Sequence, residues 1–354
     1  MNIHILNKLG AGLSGNAYLS VVDGKECIIK TIHAEECPPV HPVIDIINQY
    51  PEHFLTMKFQ CFKLNYKCDH KIPDWISADN NRIKEWNKIH SINKGLFVCY
   101  EPVLDDSLLS YYKSMDRQLD ELTNKKNKSM GRRLDEFRLE TYSILAQIFY
   151  AHYILISNGW YHADAHNENI MYKSTNKKYC ILTIGKNKYK CPTYGKLWYL
   201  IDYDNMYSIK LKNDIRKNFL KNLHIYIIDT LQQSTIQPWW KTAKELNIQL
   251  ITREEVFMAI KKNKKYRQLL KLLPKINEPE TLASCAELLL IFNYPDDFFS
   301  LIGLDNRFSN DIYKYHIQQL LKPADINFII QHLNDCPKII KYLINQIDHK
   351  LTIN

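Results

Sequence analysis

Residues 162 to 169 read His162-Ala163-Asp164-Ala165-His166-Asn167-Glu168-Asn169. An aspartate and an asparagine five positions apart on a loop can divide two tasks. The Asp164 carboxylate can take a proton from an attacking hydroxyl, and the Asn169 amide oxygen can ligate a metal ion. Farther on, Asp202 closes the apolar Leu200-Ile201, and a carboxylate at a strand end is well placed to hold Mg2+ against phosphate oxygens. Near the start, Gly10-Ala11-Gly12-Leu13-Ser14-Gly15 can fold closely over phosphates, because glycine has no Cβ to stand in the way. Cys27-Ile28-Ile29-Lys30 ends on an ammonium that can meet phosphate oxygens as a point charge. Taken singly, each has a plain explanation: a hairpin with three glycines, a lysine in solvent, an acidic cap or turn. Alternating His162, Asp164 and His166 can also ligate a single metal, as in a metal-dependent hydrolase. That alternative requires a further His, Asp or Glu cluster and leaves the glycine turn unexplained.

The elements that must position these groups fall into two parts. Ile3 to Leu9, Ala17 to Val22 and Glu26 to Ile32 are short β-prone segments, the last two joined by the hairpin signal Asp23-Gly24. The glycine turn therefore lies between two strands, where a Rossmann turn would open a helix. Gly95 to Tyr100 reads as a buried strand, and Asn48 to Leu64 is mixed. Lys113 to Arg138 is highly charged, an exposed helix or an insertion. Leu139 to Ser157 is apolar nearly all round, which predicts a buried helix stopped by Asn158-Gly159. Strand signals return from Met171 to Asp202. Residues 214 to 354 are mainly helical, with apolar periodicity in Phe219 to Leu231, Leu282 to Phe292 and Ile326 to Ile347.

Composition narrows the class. The 354 residues are 45% hydrophobic and 24% charged, which excludes global disorder. No apolar run reaches the roughly 18 residues of a spanning helix, and the N-terminus carries no secretory pattern. Nine cysteines without a Cys-x-x-Cys pair are expected as reduced thiols in a cytosol-like compartment. The net charge of +9 favours acidic partners, although its lysine clusters (Lys125-Lys126, Lys177-Lys178, Lys261 to Lys265) read first as a solvated basic face.

Glycine flap, strand lysine, His-x-Asp-x-x-x-x-Asn and strand-end aspartate occur in one order, and together they resemble the eukaryotic-type protein kinase superfamily over roughly residues 5 to 230. The resemblance implies an α+β, bilobal protein-kinase-like fold, with a small β-rich N-lobe and hinge over 1–103 and a larger helical C-lobe over 104–354. It implies ATP and Mg2+ as cofactors. Gly10, Gly12, Gly15 and Ala17 would cover the nucleotide, Lys30 would bind its phosphates, and Glu101 and Val103 would form the hinge behind the gatekeeper Tyr100. Asp164 matches the catalytic base, and Asn169 and Asp202 match the metal ligands. An insertion around 173–196, ending in Pro192-Thr193-Tyr194-Gly195, looks like the hairpin of kinases from large DNA viruses, with a broad likeness to the haspin-like branch. The implied activity is transfer of the ATP γ-phosphate to a protein serine or threonine, the protein substrate being basic or viral. The expected location is the cytoplasm, in the viral case that of the host, or the virion. No membrane span and no nucleic acid is required.

The sequence departs from that pattern in four places. His166 stands where protein kinases usually have lysine, as in aminoglycoside- and choline-type kinases. Asp202-Tyr203-Asp204 replaces Asp-Phe-Gly. No Ala-Pro-Glu follows, so activity is expected not to depend on activation-loop phosphorylation. No glutamate partner for Lys30 can be assigned, with Asp45 and Glu52 possible by spacing alone. These departures keep a pseudokinase scaffold and a small-molecule kinase as alternatives. His162 is expected to be structural, bonding backbone near the metal-binding loop.

Overall fold

The computed structural model describes residues 3–12, 15–32, 43–61, 66–68, 96–124, 130–162, 165–203, 206–208, 252–277, 279–302 and 321–351. The chain divides into two compact units, Met1–Asp105 and Asp106–Asn354. The first is rich in strands and the second in helices, the α+β arrangement that the sequence predicts.

The first unit is built on one sheet. Strands β1 (Ile3–Gly12), β2 (Gly15–Val22), β3 (Lys25–Ile32), β4 (Thr56–Cys61), β5 (Tyr66–Cys68) and β6 (Leu96–Glu101) lie in the order β4-β6-β3-β2-β1-β5. All neighbours are antiparallel except β5, which runs parallel to β1 at the edge. The β2–β3 turn has left-handed backbone at both Asp23 and Gly24, which suits the right-handed twist of the flanking strands. Alternation sorts the two faces. Ile5, Tyr18, Ser20, Cys27, Ile29 and Cys99 are buried, while Ala17, Leu19, Ile28 and Lys30 are half-buried. The mixed stretch before β4 holds a short helix, α1 (Val43–Ile47), whose Val43, Ile44 and Ile47 are buried.

The second unit has a helix at its centre. After β7 (Asp106–Ser107) comes α2 (Leu108–Asn124), then α3 (Met130–Ser157). The described residues of the charged stretch up to Arg138 therefore fall in two helices and not in one exposed helix. Its end is the first two turns of α3, because Leu134 and Phe137 continue the apolar stripe, and Arg138 is buried beside Asp135 at 3.2 Å. Every residue from Thr141 to His152 is buried.

Beyond α3 follow β8 (Trp160–His162), β9 (Ile170–Ser174), β10 (Tyr179–Ile184), β11 (Asn187–Pro192), β12 (Lys196–Leu200) and β13 (Met206–Ser208). The segment Phe219 to Leu231 lies outside the described residues. The C-terminal helices are α4 (Arg253–Lys262), α5 (Lys264–Arg267), α6 (Pro279–Asn293), α7 (Pro295–Leu301), α8 (Pro323–Gln331) and α9 (Cys336–Leu351). The apolar period from Ile326 to Ile347 is therefore split in two. Asp335 caps the second helix by accepting from Lys338 N at 3.1 Å, and Pro337 fits only the first turn of a new helix.

Helices α3, α8 and α9 are tied by one buried carboxylate. Asp325 accepts from the Tyr142 hydroxyl at 2.6 Å, from Lys322 N at 3.1 Å and from the Tyr342 hydroxyl. Charge-assisted bonds of this kind are worth about 1.5–3 kcal/mol each, and both tyrosine pKa values are pushed up by burial and by this carboxylate.

Two buried histidines make the fold acid-sensitive. Burial lowers His53 to about 4 despite nearby Glu52, and burial with neighbouring His162 lowers His152 to about 3. Below the ordinary pKa of about 6.5, the unfolded chain binds protons that the folded chain excludes. Stability is therefore full above that value and falls as pH drops towards the folded pKa values, by about 1.4 kcal/mol per pH unit for each histidine. The denaturation midpoint should fall between pH 7 and pH 5, and less steeply in a His53→Gln, His152→Gln variant; equal slopes would remove the histidines as the cause.

Candidate active site

In the first unit, register brings the phosphate candidates into line. Gly10 pairs with Ala17, Ala17 with Lys30, and Lys30 with Val98, so one cross-strand row runs through β1, β2, β3 and β6. Directly paired residues project from the same face of a sheet. Gly12 faces Gly15 where the hairpin ends. A Cβ built on Gly10 meets no atom within 4 Å, and Gly10 is not among the residues with positive φ. Neither backbone conformation nor packing among the described residues therefore demands glycine there. The expected hinge follows β6. Tyr100 pairs with Ile28, in the row next but one to that of Lys30. The Glu101 carbonyl accepts from the Thr56 hydroxyl at 3.1 Å, which leaves a second lone pair, and its carboxylate meets Lys58 at 3.4 Å. Val103 is half-buried two residues on. Of the acids weighed as partners for Lys30, Asp45 is exposed on α1 and Glu52 lies in the turn before β4.

In the second unit, α3 positions the metal candidates through β12. The buried Gln147 side chain accepts from Trp198 N at 3.1 Å, and Lys196 pairs with Glu140 at 2.7 Å. β12 pairs antiparallel with β9 as far as Leu200 and Ile170. One step beyond, Ile201 N donates to Asn169 O at 2.9 Å. Asn169 and Asp202 thus stand at adjoining ends of two paired strands, with Asn169 buried and Asp202 half-buried.

Ile201 is held at its other polar atom as well. His162 Nε2 donates to Ile201 O at 2.7 Å, while β8 pairs with β13 through His162 and Met206. The structural role expected of His162 is the one observed. Asp202 has a left-handed backbone, φ 64°, which Asp tolerates better than most residues. The kink is fixed from both sides, since the Tyr203 hydroxyl donates to Leu200 O at 2.9 Å and the His162 ring lies edge-on to Tyr203. Tyrosine after the aspartate, a departure in sequence, thus has a mechanical use that spacing alone did not reveal.

Within the loop, His166 Nδ1 accepts from Glu168 N at 3.2 Å, and its carbonyl accepts from Asn169 N at 2.9 Å. Asp164 lies outside the described residues. The segment that contains it begins at His162 and ends at Asn169, and both of these bond Ile201. Oxygen donors from Asn169 and Asp202 suit a hard cation such as Mg2+. Among the described residues, no group of three or more His, Cys, Asp or Glu side chains is placed to hold a metal ion, and Asp164 of the alternative His162-x-Asp164-x-His166 site lies outside them. Among the described residues, no helix is long and apolar enough to cross a membrane.

No protein-family model matches the sequence, and no curated protein matches it. Among solved structures, the chain is similar to the PK-1 kinase of Cydia pomonella granulovirus, with 15% identity and a TM-score of 0.32 over 58% of this chain. The match spans 55% of that protein.

Proposed function

We propose that the protein is an ATP-dependent phosphotransferase of the protein-kinase type, with a protein serine or threonine hydroxyl as acceptor. The observation that carries this reading is the cross-strand row Gly10–Ala17–Lys30. A glycine-rich hairpin followed by a lysine on the third strand is the context that a kinase lysine requires, and neither a Rossmann turn nor a chance hairpin predicts it. Gly10, Gly12 and Gly15 lie over the phosphates, Ala17 packs on the adenine, Lys30 binds the α- and β-oxygens, and Glu101 and Val103 line the hinge. Asn169 and Asp202 hold magnesium, which when bound offsets charge developing on the transferred phosphoryl group. Asp164 orients the acceptor hydroxyl and receives its proton. Catalysis of this kind is mostly positioning and electrostatics, and the Ile201 clasp is a positioning device.

The test is magnesium-dependent ATP binding and transfer of labelled phosphate to a generic basic protein, read with ADP release. Binding with transfer supports the reading; ATP binding without transfer makes the chain a pseudokinase. Gly10→Ala sharpens it. A methyl fits the fold there, so stability should hold or rise by about 0.4–1 kcal/mol. The same methyl would occupy the face shared with Ala17 and Lys30, so ATP affinity should drop several-fold. Unchanged affinity in titration calorimetry would remove the glycine hairpin from the nucleotide site.

A further inference from the structure

The insertion between β9 and β12 concentrates the charge of the chain. From Ile170 to Leu200 there are seven lysines and no aspartate or glutamate, against a net charge of +9 for all 354 residues. Lys196 is committed to Glu140. Others lie on one side of a two-stranded hairpin. Cys180, Leu182 and Ile184 of β10 are buried, so that face is packed against the unit. The opposite face pairs Ile181 with Lys190 and Thr183 with Lys188, and Lys186 is at the turn. Lys178, Lys186, Lys188 and Lys190 are all exposed. So are Tyr179 at 46% and Ile181 at 43%, large apolar groups among cations.

A cleft of about 400 Å3 opens at the root of the hairpin, with Lys177, Lys178, Tyr179 and Tyr194 among its walls. Tyr194 is kept there against two costs. Its φ is 48°, in a turn closed by Lys196 N to Thr193 O at 2.9 Å, where Asn, Asp or Gly is preferred. Its hydroxyl is buried with no hydrogen-bond partner among the described residues.

We propose that this face and cleft bind single-stranded nucleic acid, with phosphates on Lys186, Lys188 and Lys190 and an unstacked base beside Tyr179 and Tyr194. Charge complementarity calls for a polyanion, and Lys188 and Lys190, about 6.8 Å apart along the strand, meet successive charges, with Lys186 at the turn before them. Lysine without arginine suits sequence-independent contact to phosphates. The aromatic walls decide the class of polyanion. Bases of a single strand stack on tyrosine, whereas a duplex keeps its bases stacked inside and an acidic peptide brings no planar ring that repeats with its charge.

The test is anisotropy of a labelled oligothymidine against the full chain without ATP, across a salt series, so its outcome is independent of phosphotransfer. The logarithm of affinity should fall with that of salt, and Lys186→Gln, Lys188→Gln, Lys190→Gln should flatten the slope by about 2, at about 0.7 per phosphate. Tyr179→Ala should weaken binding about tenfold at low salt. These are exposed positions, and circular dichroism verifies that the variants fold. Absent binding at low salt, an unaltered slope in the lysine variant, or equal competition by duplex DNA or oligoglutamate would overturn the proposal.

Discussion

Asp202→Asn will abolish magnesium-dependent nucleotide binding and lower phosphoryl transfer by about a thousandfold or more. As the metal ligand proposed above, Asp202 would govern several kcal/mol of charge stabilisation, and each 1.36 kcal/mol is a factor of ten. Asparagine is the informative replacement because of the backbone. Asp202 has φ 64°, and alanine there would add strain to the loss of the ligand. Asparagine accepts the left-handed conformation, so the bonds from Asn169 and His162 to Ile201 and from Tyr203 to Leu200 have no reason to break. The denaturation midpoint should stay close to that of the wild type while ATP binding in magnesium disappears. Magnesium-dependent binding as tight as that of the wild type in the asparagine variant would show that the Asp202 carboxylate is not the ligand.

What the sequence revealed, and what it hid, follows from the range of the forces involved. The β1–β2–β3 meander was legible because period-2 alternation and the Asp23-Gly24 turn are local signals. Its register then aligned Gly10 with Lys30, twenty residues away, without further information. The core of α3 was legible from its apolar run, but its start was not. Charged residues before Arg138 masked Leu134 and Phe137, whose burial depends on tertiary partners. The break at Asp335 was written locally, in an Asp cap ahead of Pro337, yet an apolar period continuing across it outweighed those two residues.

Spacing singles out the candidate-site residues, but the groups that hold them are invisible in it. Gln147 supports β12 from a helix that reads as apolar nearly all round, and Tyr203 supports the strand end from the position where the kinase pattern has phenylalanine. Both act through backbone carbonyls or amides, which leave no mark in composition or spacing. The cost of the Tyr194 conformation was hidden for the same reason: a Tyr-Gly pair signals a turn, but not the sign of φ.

Asp164→Asn should separate binding from chemistry. If the carboxylate takes the proton of the acceptor hydroxyl, its loss removes general-base assistance, worth about 10²–10⁴-fold in turnover. The nucleotide groups remain, so magnesium-dependent ATP affinity should be nearly unchanged. The clasp makes this separation expected. His162 and Asn169 are each bonded to Ile201, at 2.7 Å and 2.9 Å, through a ring nitrogen and a backbone carbonyl that the substitution does not touch. A His162→Ala variant supplies the contrast, because it frees Ile201 O and should impair binding and turnover together. Near-normal phosphate transfer by Asp164→Asn would reassign the base. Loss of ATP binding alongside turnover would make Asp164 a part of the nucleotide site, with proton transfer carried elsewhere.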